Sequence, residues 1–383
     1  MLYTCTSPCR HSSHQPWRLA GASSDSGSAS RARSTAASGS VRSEDAGAVV
    51  DIHCHYLNLA VQTRTATLDL AKFDPLAIHS NELTRQTNIA QMRDRASKLS
   101  VVEERLADMD RMGVDIQAVS PAPHQYFYFT EPELGAALAR QVNEGIAALV
   151  RTHPRRFVGL GSVPLQDAER AVKELDHAVG TLGLRGVEIN TNVNGKNLTD
   201  PSLGLDAFFA RANDLGITVF LHPLGFSHAE RLSEHYLGNI IGNPLDTSIA
   251  MSMLIFDGVL ERFPRINFVA AHGGGYLSQY WGRMDHAWRV RADTRQRISR
   301  PPSSYLEQFH FDTLTHDPEL LGRLVSRFGA DRVLLGTDYP YDMGDEDPRA
   351  FIASVQGLSA AQRRLIEGGN AARLLSLSDR ITH

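Results

Sequence analysis

The chain has 383 residues, a formal net charge of −4, 21% charged residues and 42% hydrophobic ones. This is ordinary globular composition, long enough to bury a core, and its mild acidity gives no electrostatic support for nucleic-acid binding. Three cysteines, Cys5, Cys9 and Cys54, make no disulfide framework; no apolar run approaches the roughly 20 residues of a membrane span, so a soluble, cytoplasmic protein is expected.

Residues 1–46 differ in kind from the rest of the chain. The stretch "GASSDSGSASRARSTAASGSVRSEDAG" is rich in Ser, Ala and Gly and nearly free of large apolar side chains. It cannot bury enough surface to offset ordering entropy, so a disordered tail is predicted. Its richness in Arg and Ser also fits an organelle transit peptide, but it has no apolar core of a secretory signal. One domain is expected over 47–383.

Eight short apolar or β-branched runs come next: 48–55, 115–121, 156–164, 186–191, 218–223, 266–273, 309–313 and 332–340. Helical patterns lie between them. "VVEERLADMDRMG" sets Val102, Leu106, Met109 and Met112 on one face and stops at Gly113. "LGAALARQVNEGIAALVRTHP" stops at Pro154, and "DAERAVKELDHAVGTLG" opens on an Asp167 cap. "GLDAFFARANDLG" and "PELLGRLVSRFGADR" repeat the pattern. Strand and helix in alternation imply parallel strands with helical crossovers, and eight such units predict a (β/α)8 TIM barrel. An open doubly wound sheet is the alternative, but no GxGxxG follows a strand. Residues 56–100 are polar and irregular in pattern. They are expected to form an insertion after the first strand, over the mouth, with "KFDPLAIHSNELT" as its outer part.

The chemistry-bearing residues fall at the ends of these runs. "DIHCH" places His53 and His55 two apart, so both can face one ion while Cys54 faces away. His222 ends "FLHP", His272 lies in "AAHGGG" and Asp338 in "LGTDYP". The C-terminal strand ends of such a barrel meet at one mouth, which gathers all five. Imidazoles with a carboxylate suit Zn²⁺, and also Mn²⁺ or Fe²⁺, with a coordination position left open for catalysis. "HGGG" also occurs in lipase oxyanion holes, but no G-x-S-x-G comes after it here.

The stretches "DIHCHYLN", "FLHP", "AHGGGYLSQYWGRMDHAWRVR", "RPPSSYLEQFHFDT", "DRVLLGTDYPYDMG" and "GGNAARLL" resemble the amidohydrolase superfamily. They resemble in particular the branch of aminocarboxymuconate-semialdehyde, resorcylate and carboxyvanillate decarboxylases. The resemblance implies His53, His55, His222 and Asp338 as ligands of zinc or manganese, with His272 and Asp338 moving protons. It also implies Arg93 and Arg283 on the substrate carboxylate, with Arg283 shared across a homodimer. Muconate-semialdehyde decarboxylases follow "HP" with Trp-Asp, whereas this chain reads "HPLGFSH". Phe226, with Tyr126 and Phe127, is expected to supply another apolar wall. The expected activity is non-oxidative decarboxylation of an aromatic or unsaturated carboxylic acid. The alternative is a metal-dependent hydrolase or hydratase on the same residues.

Overall fold

The structure is a computed structural model and describes residues 47–377. The predicted tail, 1–46, lies outside the described residues. Eight parallel strands form where the apolar runs stand, each shorter than its run. They are β1 (Val50–Tyr56), β2 (Ile116–Pro121), β3 (Phe157–Gly159), β4 (Gly186–Ile189), β5 (Thr218–Leu221), β6 (Asn267–Ala270), β7 (His310–Asp312) and β8 (Val333–Leu334).

One sheet runs β1-β2-β3 and another β8-β7-β6-β5-β4. Parallel bridges Gly161–Val187 and Cys54–Tyr339 link them at both margins. Backbone bonds from Glu188 N to Gly161 O (2.8 Å) and from His55 N to Tyr339 O (2.8 Å) support those bridges. Each of these eight strands therefore has a hydrogen-bonded neighbour on each side.

Burial follows the two-residue period of a strand. Phe220, Val269 and Leu334 pack with Val50, Ile52, Ala118 and Leu160 in one cluster. Their neighbours Leu221, Ala270 and Leu335 pack instead with helix residues such as Phe208, Leu254 and Leu324. Strand β1 has a register shift between Asp51 and Cys54. Ile52 thus joins the first cluster while Cys54 joins the second.

The helices obey their end signals. Val102–Met112 stops at Gly113, whose φ of 70° suits the left-handed cap. Asp167 caps Ala168–Asp176 by accepting from Arg170 N. Residues 56–100, irregular in pattern, are largely helical: Leu59–Arg64, Pro75–His79 and the 19-residue Glu82–Ser100. The last has no apolar stripe because only one of its residues, Leu99, is buried. Local caps at Asn58, Asp74 and Asn81 set where these helices begin. Near the C-terminus, buried Asn370 donates to the carbonyls of Ala330 (2.7 Å) and Val333 (2.8 Å), which fixes the "GGNAARLL" segment beneath β8.

Candidate metal centre

His53 and His55 stand near the C-terminal end of β1, His222 directly after β5, and Asp338 after β8. All four are buried, and one ligand atom from each lies within 4.8 Å of the others. His53 Nε2 and His55 Nε2 are 3.2 Å apart. Asp338 Oδ1 is 3.1 Å from His55 Nε2 and 3.4 Å from His53 Nε2.

The partners of the outer ring nitrogens decide which nitrogens face inward. His53 Nδ1 donates to Asp312 Oδ2 at 2.7 Å, and His55 Nδ1 to the Pro121 carbonyl at 3.1 Å. Each ring therefore presents an Nε2 lone pair to the centre. His222 makes no hydrogen bond through either ring nitrogen, and neither does Asp338 Oδ1. A buried polar atom left unpaired costs about 1–3 kcal/mol. Converging bare nitrogens and a carboxylate oxygen fit a divalent cation, which would satisfy all of them at once.

The electrostatics agree. Burial works against an ionised Asp338, yet His53, His272 and His55 outweigh it and hold its carboxyl well below the usual range. Burial, then the neighbouring imidazoles, pushes His222 well down and keeps it neutral. Burial also opposes charge on His55 and His272, but carboxylates prevail: Glu188 and Asp338 raise the first, Asp338 and Asp312 the second.

His272 stands beside the four rather than among them. Its Nε2 is 3.7 Å from Asp338 Oδ2, beyond hydrogen-bond reach. It opens a run of left-handed backbone, with φ of 56° at His272 and 62°, 76° and 60° at Gly273, Gly274 and Gly275. A Cβ at Gly275 would sit 2.3 Å from the Pro244 carbonyl, so glycine is required there. Asp312 holds this turn too, accepting from His272 N (2.9 Å) and Gly273 N (2.8 Å).

The group forms one pole of a cavity of about 940 Å³, reached by His222, His272 and Asp338. Leu76, Met92, Tyr126, Phe127 and Leu224 supply much of its apolar wall.

The sequence pattern of the amidohydrolase family matches residues 50–377. The chain belongs to the amidohydrolase family. This amidohydrolase is similar to the 2-amino-3-carboxymuconate-6-semialdehyde decarboxylase of Dictyostelium discoideum. The two are 38% identical over 274 residues, spanning 71% of this chain and 76% of that protein. The crystal structure of 5-carboxyvanillate decarboxylase from Sphingomonas paucimobilis matches 86% of this chain and 99% of its own, with a TM-score of 0.74 and 26% identity. Dihydroxybenzoic acid decarboxylase from Polaromonas sp., solved with manganese and the inhibitor 2-nitroresorcinol, shares the fold at a TM-score of 0.74 and 21% identity. That match covers 88% of this chain and 100% of the other.

The remaining expected site residues of this amidohydrolase lie elsewhere in the single chain. Arg93 is exposed, with its Nε 3.7 Å from Asp94. Arg283 is exposed on the helix Gly282–Val290, and Asp285 there accepts from Ser303 N (2.9 Å) and Oγ (2.7 Å). Phe226 is half-buried, 5.9 Å ring to ring from His228, while Leu224 and Ser227 on either side of it line the cavity.

Sequence reasoning missed four residues. Asp312 orients His53. Arg95 lines the cavity and donates to the Pro340 carbonyl at 2.8 Å. Arg105, fully buried, donates to the His55 carbonyl and to Gln117 Oε1 at 2.9 Å. Glu188, its pKa raised by burial, stands 3.8 Å from His55 Nδ1. The signals for Asp312 were its place at the end of a predicted strand and inside the stretch "RPPSSYLEQFHFDT", neither of which gave it a role.

Proposed function

We propose that the protein is a metal-dependent, non-oxidative decarboxylase of an aromatic or unsaturated carboxylic acid. The single observation that carries this is the buried His53–His55–His222–Asp338 group at the floor of a large, mainly apolar cavity. The similarity to named decarboxylases adds the reaction class. In this reading the eight strands close into a (β/α)8 barrel, the domain spans 47–383, and residues 56–100 are an insertion over its mouth. The presence of Leu76, Met92 and Arg95 in the cavity wall supports that placement.

His53, His55, His222 and Asp338 would hold the ion. Their donor set suits zinc, and manganese also fits. When bound, the ion draws electron density from a substrate oxygen and stabilises the negative charge that decarboxylation develops. His272 delivers a proton to the carbon that bears the carboxylate, with Asp338 beside it. The bond to the carboxylate then breaks, CO₂ leaves, and solvent returns the proton to His272. Arg95, the arginine of the cavity wall, grips the substrate carboxylate.

The exposed Arg283, with exposed Tyr280 and Val290 nearby, supports a homodimer that shares this face. The free, buried thiol of Cys54 suits a reducing compartment such as the cytoplasm.

The test is CO₂ release by zinc- or manganese-loaded protein from a panel of hydroxylated benzoic and unsaturated acids. Turnover with stoichiometric CO₂ supports the reading. Hydrolysis of lactones or amides with no CO₂ from any acid would sink it in favour of a hydrolase.

A further inference from the structure

We propose that His124 is a specificity-determining residue that hydrogen-bonds a second polar group on the substrate, away from the metal. This rests on the reading of the cavity as the site for an aromatic or unsaturated acid. It narrows that class to acids carrying a further hydroxyl or amino group besides the one presented to the metal.

The geometry starts with the loop after β2. His124 sits in the single turn Pro123–Gln125 and lines the cavity. The loop is held on several sides. Ala122 N donates to the Tyr56 carbonyl at 2.9 Å. Gln125 exchanges two bonds with the Asn58 backbone, at 3.0 and 3.1 Å. Tyr126 donates its hydroxyl to Glu188 at 2.7 Å. The imidazole of His124 is therefore presented by a fixed frame, as a recognition group requires.

Four other polar side chains of the cavity are already engaged with the protein. Asn190 accepts from Leu224 N, Asn192 donates to Asp246, Asn194 donates to the Tyr128 carbonyl, and Arg95 donates to the Pro340 carbonyl. Among the described residues His124 has no hydrogen-bond partner for either ring nitrogen. A half-buried imidazole lining a cavity, with no protein partner for either nitrogen, is satisfied by water or by ligand.

Burial, with a further push from His55, lowers its pKa to about 4. At neutral pH the ring then carries one N–H donor and one bare acceptor nitrogen. It can take a hydroxyl or amino group in either sense, and it does not duplicate the charge of Arg95. A site built to hydrogen-bond a substrate hydroxyl rejects the analogue that lacks it.

The test is a binding comparison on metal-loaded protein, independent of turnover. The probes are 2-nitroresorcinol, which has two hydroxyls, and 2-nitrophenol, which has one. Wild type is expected to favour 2-nitroresorcinol by about tenfold, the scale of one net hydrogen bond. His124→Phe is expected to bring that ratio to within about twofold of unity. It should leave the affinity for 2-nitrophenol, the metal content and the thermal midpoint near wild type. His124→Gln, which restores a donor and an acceptor, is expected to recover part of the ratio. Equal affinity of wild type for the two probes overturns the inference, and so does an unchanged ratio in His124→Phe. Failure of wild type to bind either probe overturns this inference, while CO₂ release from the acid panel still decides the proposed function separately.

Discussion

Replacing Asp312 by Asn tests whether an unliganded carboxylate sets the metal centre. Asp312 is fully buried, and its oxygens accept four hydrogen bonds. Oδ2 takes His53 Nδ1 at 2.7 Å and His272 N at 2.9 Å; Oδ1 takes Gly273 N at 2.8 Å and Leu314 N at 3.1 Å. A carboxylate only accepts, so His53 Nδ1 must carry the proton and Nε2 stays bare. In Asp312→Asn one oxygen becomes an NH₂. If it faces His53, the ring proton moves to Nε2 and blocks the ligand atom, and His272 N loses its acceptor. If it faces Gly273 and Leu314, two N–H groups lose their acceptor. The first outcome is expected to weaken metal affinity about 10–100-fold, or about 1.4–2.8 kcal/mol. The second would lower apo stability by about 1–3 kcal/mol for each orphaned N–H. Chelator competition with Zn²⁺ measures the first, and thermal melting of the apo protein the second. A variant that binds Zn²⁺ within about twofold of wild type and melts at the same temperature refutes the reasoning.

Three further outcomes are expected. His272→Ala should lose turnover by about 10²–10⁴-fold while keeping its metal, whereas His222→Ala should lose the metal; equal metal loss in both would reverse the assignment, as metal analysis will show. Arg95→Ala should raise KM for the acid by about tenfold or more, the scale of a lost charged hydrogen bond, while Arg93→Ala stays near wild type; the opposite order in steady-state kinetics would place Arg93 on the substrate. Asp108 is opposed by burial, but Arg111, Lys98 and Tyr339 prevail and lower its pKa. Its folded value lies below the unfolded one, so its contribution is full above about pH 4 and fades as pH falls through the folded value. Asp108→Asn should therefore lose stability at neutral pH and show a flatter acid limb; a parallel limb in urea melts at about pH 2–4 would count against this.

Much of the frame was legible because each strand run was apolar and bounded by turn residues. The candidate metal set was legible because His53, His55, His222 and Asp338 each close such a run. Which arginine of the insertion lines the cavity was not legible. Arg93 and Arg95 lie on the helix Glu82–Ser100, where two positions turn by about 200°, so they stand on nearly opposite faces. That helix has no apolar stripe to say which face turns inward: Leu83 and Ile89 are 72% and 70% exposed. Phe226 was obscured differently. Gly225, at a φ of 68°, turns the chain so that Leu224 and Ser227 meet the cavity. Asp312 lies in the stretch "RPPSSYLEQFHFDT", but its bond to His53 comes only from the approach of β1 to β7 in three dimensions.

The seam where β1 meets the Asp338 segment has a consequence for biosynthesis. His53 belongs to the first strand and Asp338 to the segment after the last, and the backbone of His53 accepts from Asp338 N at 2.8 Å. A nascent chain still lacking residues 332–340 owns the imidazoles but has neither the carboxylate nor the edge that borders β1. Tight capture of an ion at this group would therefore wait until the Asp338 segment has left the ribosome. A captured ion would staple β1 to the segment after β8, and its binding energy would add directly to the stability of that junction.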